Sequence, residues 1–368
     1  MLSVSAIAAL AGGVAAVLGS FLAGPPLVRC LTDRSADGVP LRTYVGFSTR
    51  VRLQRLMLWL SGVSRGLAVL PEVAVLSPLV VRVLGRNPSR MTLQGTNTYL
   101  VGSGPSRMLV DAGDGSSQYM GTLLKVCREL GVTDITDLLL THSHYDHIGG
   151  VLRVREAFPG VRVWKWLPPN DRSLRVTNTE SIALGITPMK DGAEFKVPGE
   201  AAAMLTVVFT PGHCGDHVCL LLDEPRGGSR QRTLFSGDCI LGAGSCVFDS
   251  LVDLMASLSR LRAAEPNSIY PGHGPVVTDA MAKIDEYISH REEREQQVLE
   301  ALKHADGWLS PEQIVREIYE DLPFLLRLAA KKAVNKHLHK LVVERRVERT
   351  AASGWFVDAT YRLAVATT

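Results

Sequence analysis

From about Pro71 the chain alternates short apolar runs with polar breaks. VVRVL (80–84), TYLVG (98–102), RMLVDAG (107–113), DLLLT (137–141), VRVWKW (161–166), LTVVFTPG (205–212), VCLLLD (218–223) and TLFSGD (233–238) each read as a strand closed by Gly, Pro, Asp or Asn. Helical stretches fit between them, for instance 118–130 and 250–264. The alternation predicts two sheets with helices outside, an α/β layered core. No internal repeat interrupts it.

After PGHGP (271–275) the pattern changes. A long polar helix is predicted over roughly 280–304, dense with charge pairs in SHREEREQQ. In LSPEQIVREIYEDL, Ser310 can cap a second helix, Pro311 sits in its first turn and Gln313 completes a capping box. A third helix follows from about Pro323 into HLHKLVVE, and RVERTAASGWFVDATYRLAV reads as a hairpin about Ser353 and Gly354. Helix, helix, helix, hairpin is the order of a winged helix. The chain thus divides into a leader, 1–70, a core, 71–280, and a winged-helix-like domain, 281–368.

The leader changes the picture of where the protein resides. Its first 28 residues carry no charged side chain, which suits a membrane span or a signal segment. Arginines at 29, 34, 42, 50, 52, 55 and 65 follow, met only by Asp33 and Asp37. An arginine-rich, acid-poor leader is expected to direct the protein to the mitochondrial matrix; the alternative is a membrane anchor through residues 1–28. Six cysteines without a CxxC pair suit a reduced compartment and no disulfide framework. The net charge of +3 over 368 residues selects no partner by itself.

The chemistry sits at strand ends. DLLLT runs straight into THSHYDH, which carries His142, His144, Asp146 and His147. TPGH, FSGD and YPGH end in His213, Asp238 and His273, each after a glycine that lets the backbone turn sharply. Imidazoles and carboxylates without thiolate suit zinc, or manganese, used catalytically. Seven ligands exceed one tetrahedral ion and fit two ions sharing a carboxylate, which generate hydroxide at neutral pH: hydrolase chemistry. Asp111, at the end of RMLVDAG, is expected to hold the 142–147 loop in shape rather than to ligate. Cys214 is assigned to packing. His217 is balanced between supporting a ligand and meeting substrate, and His290, His304, His337 and His339 read as ordinary histidines.

Asp111, THSHYDH, His213, Asp238 and His273, in that order, resemble the signature of the metallo-β-lactamase superfamily. VVRVLGRNPSRMTLQGTNTYLVGSGP, TPGHCGDHVCLLL, FSGDCILGAGSCVFDSL and IYPGHGPVV are more closely similar to the beta-lactamase-like protein 2 family, from about residue 72 to the end. The resemblance implies a zinc-dependent αββα sandwich with a winged-helix tail, acting as a mitochondrial endoribonuclease on single-stranded RNA. It also implies a first metal on His142, His144 and His213, a second on Asp146, His147 and His273, and Asp238 as the bridge. Ser143 and Tyr145 differ from some relatives, and Cys214 stands where threonine is more usual; no ligand is lost.

The metal site alone does not name the substrate. Between 325 and 350 eight basic residues face two acidic ones, about +6 locally. Lys331, Lys332, Lys336, Lys340, Arg345 and Arg346 are the candidate contacts to phosphates, with a solvated helix face as the equal alternative. The first expectation is an endoribonuclease in which metal-bound hydroxide attacks phosphorus and Asp146 manages the proton. Asp238 and His273 lie 35 residues apart, too close for a large inserted domain, so unpaired RNA is the expected substrate. The alternative is an acyl hydrolase, thioesterase or glyoxalase II-like, taking a small acyl thioester on an anionic carrier. Homo-oligomers, and membrane contact through the leader, remain open at this stage.

Overall fold

Leu138, Leu139 and Leu140 show why the core is layered. Successive side chains of a strand face opposite ways; Leu138 and Leu140 join one apolar cluster and Leu139 another. A strand buried on both faces reads as a continuous apolar run, as DLLLT does.

The structure is a computed structural model that describes residues 70–364 except 90, 168–184, 227, 306, 320–321 and 351–358. The leader expectations, and the hairpin turn at Ser353 and Gly354, fall outside the described residues. Among the described residues no helix is long and apolar enough to cross a membrane.

The first sheet runs in chain order: β1 (Val73–Ser77), β2 (Val80–Leu84), β3 (Asn97–Val101), β4 (Ser106–Val110), β5 (Asp134–Leu140), β6 (Arg162–Trp166) and β7 (Ile186–Met189). Pairing is antiparallel from β1 to β4 and parallel from β4 to β7. The second sheet comprises β8 (Glu194–Lys196), β9 (Met204–Phe209), β10 (Val218–Arg226), β11 (Ser229–Gly237) and β12 (Ser268–Pro271), in the order β12-β11-β10-β9-β8. The short β1, β7 and β8 were not foreseen. β1 is an edge strand that leaves Val75 72% exposed.

Three clusters define four layers. Leu100, Leu109, Leu138 and Val163 pack against Tyr119, Leu123 and Val126 of α1 (Ser117–Glu129) and against Val151 and Val154 of α3 (Val151–Ala157); α2 (Tyr145–Ile148) precedes α3. Between the sheets, Tyr99, Val101, Val110 and Leu139 meet Leu205, Val207, Leu220 and Phe235. On the far side Leu234 and Ile269 meet Leu254, Leu258 and Leu261 of α4 (Leu251–Ala263) and Ile284 and Tyr287 of α5 (Ala280–His304). Helix, sheet, sheet, helix is the αββα order. Each such buried Leu, Val or Phe contributes about 1.5–3 kcal/mol of transfer free energy.

α5 continues beyond the sandwich. Its Val298, Ala301 and Leu302 form a fourth cluster with α6 (Pro311–Ile318), α7 (Phe324–Val343) and the strand pair β13 (Val347–Arg349) and β14 (Tyr361–Leu363). The capping box of Ser310 and Gln313 starts α6. This is the winged helix.

Strand direction places the chemistry. β4 and β5 are parallel; β9 and β11 both pair antiparallel with β10, and β12 runs parallel to β11. The carboxyl ends of β4 and β5 therefore share one rim, and those of β9, β11 and β12 share another. The segments that follow carry every candidate ligand.

Candidate metal centre

Each ligand is aimed by what its other atom touches. His142 Nδ1 lies 3.0 Å from Thr141 Oγ1, and His213 Nδ1 donates to the Val247 carbonyl at 2.5 Å. Both rings thereby turn Nε2 inward. His144 Nδ1 lies 2.8 Å from His142 Nε2 and 2.9 Å from His213 Nε2. Three imidazole nitrogens converge.

A second group stands beside them. His147 Nε2 and His273 Nε2 are 3.4 Å apart and lie 3.4 and 3.3 Å from Asp146 Oδ2. Asp238 faces both groups: Oδ2 is 3.8 Å from His142 Nε2 and 3.6 Å from His213 Nε2, while Oδ1 is 3.4 Å from His147 Nε2 and 3.2 Å from His273 Nε2. Asp238 Oδ1 is buried with no hydrogen-bond partner among the described residues. A buried carboxylate oxygen left without a donor costs free energy that a cation removes. The two groups, His142, His144, His213 with Asp238, and Asp146, His147 with His273, are able to hold metal ions.

The electrostatics of the groups differ. His142 is pushed well below the ordinary imidazole range by burial, reinforced by the rings of His147 and His144, and His213 is lowered by burial as well. Burial works against His147 and His273 too, but the carboxylates prevail: Asp146, Asp111 and Asp238 raise His147, and Asp238 and Asp146 raise His273 to about 9. Burial opposes ionisation of Asp238, yet His273 and His147 hold it well below the usual carboxylate range. The first group suits a cation as neutral imidazoles, whereas a cation entering the second displaces protons.

The supporting residues take defined places. Asp111 Oδ1 accepts from the Thr141 amide at 2.8 Å, and Asp111 Oδ2 is 2.7 Å from His147 Nδ1. His217 is fully buried; its Nε2 accepts from the Asp238 amide at 3.1 Å and its Nδ1 lies 3.0 Å from Thr210 Oγ1, so it braces the Asp238 turn. Gly212, at φ +138°, has no room for a side chain: a Cβ there would sit 2.5 Å from Leu254 Cα. At Gly272 the reason is close approach, since a Cβ would lie 2.6 Å from Asp238 Oδ1.

Four residues were missed by the sequence reading. Thr96 Oγ1 donates to Asp146 Oδ2 at 2.9 Å, and Asn97 Nδ2 donates at 2.9 Å to the carbonyls of Pro271 and Gly274, on either side of His273. Lys165 and Asp216 form a buried pair behind the site. The polar TN ahead of the TYLV run was the only local signal for the first two, and Lys165 inside an apolar strand was the signal for the third.

The basic residues separate into kinds. Lys340 and Arg346 donate to Glu295 at 2.7 and 2.6 Å and so tie α7 and the turn after it to α5. Lys332 and Arg345 are exposed, Lys331 half-buried. Lys336 Nζ stands 4.6 Å from the Phe248 ring centroid, next in the chain to Val247, whose carbonyl holds His213.

Comparison with known proteins agrees with this geometry. Residues 91–273 match the metallo-beta-lactamase superfamily model, and residues 310–355 the beta-lactamase associated winged helix domain. A beta-lactamase-like protein 2 homolog of Drosophila melanogaster is 40% identical over 298 residues, covering 79% of this chain and 98% of that protein. An atrochrysone carboxyl ACP thioesterase of Aspergillus fumigatus is 36% identical over 279 residues, covering 72% and 81%. A beta-lactamase domain protein from Burkholderia ambifaria shares the fold, with a TM-score of 0.63 at 20% identity over 82% of this chain and 99% of that one.

Proposed function

This chain belongs to the metallo-β-lactamase superfamily, in the group of beta-lactamase-like protein 2 homologues, and from that premise we propose that it is an endoribonuclease cutting phosphodiester bonds of single-stranded RNA. The observation that carries this reading is Lys336. It brings the basic side of α7 against the loop that holds His213, so an anionic chain lying across the metal centre meets ammonium groups at Lys336 and the exposed Lys332. Tyr145, 41% exposed between His144 and Asp146, adds an aromatic face for an unpaired base. Bases held inside a duplex cannot reach it.

Two divalent ions, zinc or manganese by the donor set, would supply Lewis acidity and lower the pKa of water when held by the two groups. Asp146 is the most open carboxylate of the site, 22% exposed at its side chain against 11% for Asp238 and 2% for Asp111. Its Oδ2 faces Thr96, His147 and His273, and this carboxylate is the one assigned to handle the proton of the reaction. The arginine-rich leader supports import into the mitochondrial matrix, tested by localising tagged full-length protein.

A second reading has one specific observation in its favour, the Aspergillus fumigatus relative named as a carrier-protein thioesterase. Lys332 and Lys336 would then meet the phosphate of an acyl carrier. The deciding experiment offers zinc- or manganese-loaded protein a labelled single-stranded RNA, its duplex, and an acyl-pantetheine thioester. Metal-dependent cutting of the single strand is expected, with Lys332→Gln, Lys336→Gln protein showing a higher KM, an unchanged kcat and a shallower salt dependence. Thioester turnover far above RNA cleavage would replace the nuclease with the acyl hydrolase.

A further inference from the structure

Behind the two ligand loops lies an ion pair that the reaction itself does not use. Lys165 on β6 is fully buried and Asp216 is 2% exposed. Lys165 Nζ donates to Asp216 and, at 3.0 Å, to the Trp166 carbonyl. Charges this far from water persist only when each is answered.

Asp216 is answered more than once. Ser143 Oγ donates to the same carboxylate, which Lys165 and Ser143 keep below the ordinary range even though burial acts the other way. The positions of the donors matter more than their number. Ser143 stands between His142 and His144, and Asp216 itself lies three residues after His213. One carboxylate on the His213 loop therefore holds the residue between the other two histidines of the first group, while Lys165 ties it to β6. Asp111 and His217, by contrast, brace His147 and Asp238.

We propose that Asp216, held by Lys165, is a positioning residue that sets the His142–His144 loop against the His213 loop and so tunes the first group's affinity for a cation. The hub never touches substrate. Its effect falls on one metal group and spares the other, whereas a merely structural pair would loosen both. The inference rests on the reading that the two groups bind cations.

The test isolates each group in the full chain and titrates zinc against a chromophoric chelator. His273→Ala leaves the first group complete, and His144→Ala leaves the second. In the His273→Ala background, Ser143→Ala should weaken zinc by about tenfold or more, the cost typical of losing a group that orients a ligand. Ser143→Thr keeps the hydroxyl donor and should restore the affinity. In the His144→Ala background Ser143→Ala should leave zinc affinity unaltered. Unaltered affinity in the first background, or equal weakening in both, overturns the proposal. Lys165→Met leaves a bare buried carboxylate and endangers folding, so the Ser143 variants carry the decision. Wild-type protein that takes up no zinc would instead remove the cation reading, and this proposal with it.

Discussion

Asp111→Asn probes the second metal group through a single atom. Asp111 sits at φ +60°, a conformation that Asn tolerates as well as Asp, so the backbone has no reason to move. Asparagine Oδ1 can still accept the Thr141 amide, now bonded at 2.8 Å. The loss falls on Oδ2, which is 2.7 Å from His147 Nδ1; Oδ2 also accepts from Thr141 Oγ1 at 2.9 Å, a bond the hydroxyl can keep through Oδ1 at 3.1 Å. For His147 to offer Nε2 as a ligand, Nδ1 must carry the proton and donate it. An amide NH2 in place of Oδ2 sets donor against donor and favours the tautomer with Nε2 protonated, which cannot ligate. A hydrogen bond to a charged group is worth about 1.5–3 kcal/mol, which converts to roughly 10- to 150-fold weaker zinc binding at the second group. Zinc titration of Asp111→Asn in the His144→Ala background reads this directly, with thermal melting as the check on folding. Folded protein whose zinc affinity matches that of its parent would refute the tautomer argument.

Two further predictions follow from backbone and burial. Gly212→Ala forces a Cβ to 2.5 Å from Leu254 Cα at φ +138°, so the His213 loop should shift; a stability loss of about 1–3 kcal/mol and most of the activity is expected, and an unchanged Tm with full activity would contradict the packing argument. His337 is 3% exposed, and burial, with Arg294, Lys340, Arg291 and His290 nearby, pushes its pKa down to about 4. The unfolded chain binds that proton near 6.5 and the folded protein refuses it, so stability is lost as pH falls from 6.5 towards 4. The loss amounts to about 2 kcal/mol at pH 5. His337→Leu should flatten that part of the acid limb in urea denaturation at pH 7 and 5, and an equally steep limb in the variant would dismiss His337 as its cause.

The strands that carry the site were legible because each is locally self-declared. LTVVFTPG and TLFSGD hold their apolar residues and a closing glycine within a few positions, DLLLT runs straight into its ligand loop, and burial on both faces leaves no polar alternation to confuse the pattern. β1 was passed over although its VAVLS run is apolar through Leu76, and the structure puts it at the sheet edge with Val75 exposed. The helix pair α2 and α3 escaped because a ligand-rich loop hid the helical period. Charge was the least legible property: Lys336 and Lys340 look alike in the chain, yet Lys340 is committed to Glu295 and Lys336 stands over Phe248.

The amino-acid sequence by itself determined which side chains could ligate, which strand ends would present them, and that a winged helix follows the core. Those properties depend on residue type and on neighbours within a turn or a strand. The tertiary structure alone decided how the ligands divide, with Asp238 turning one oxygen to each group, and which nitrogen of His142 and His213 points inward. It alone paired Lys165 with Asp216, 51 residues apart, and Thr96 with Asp146, 50 apart. Such contacts form only when two sheets stack and bring the carboxyl ends of distant strands to one place, and no local pattern of polar and apolar residues encodes that meeting.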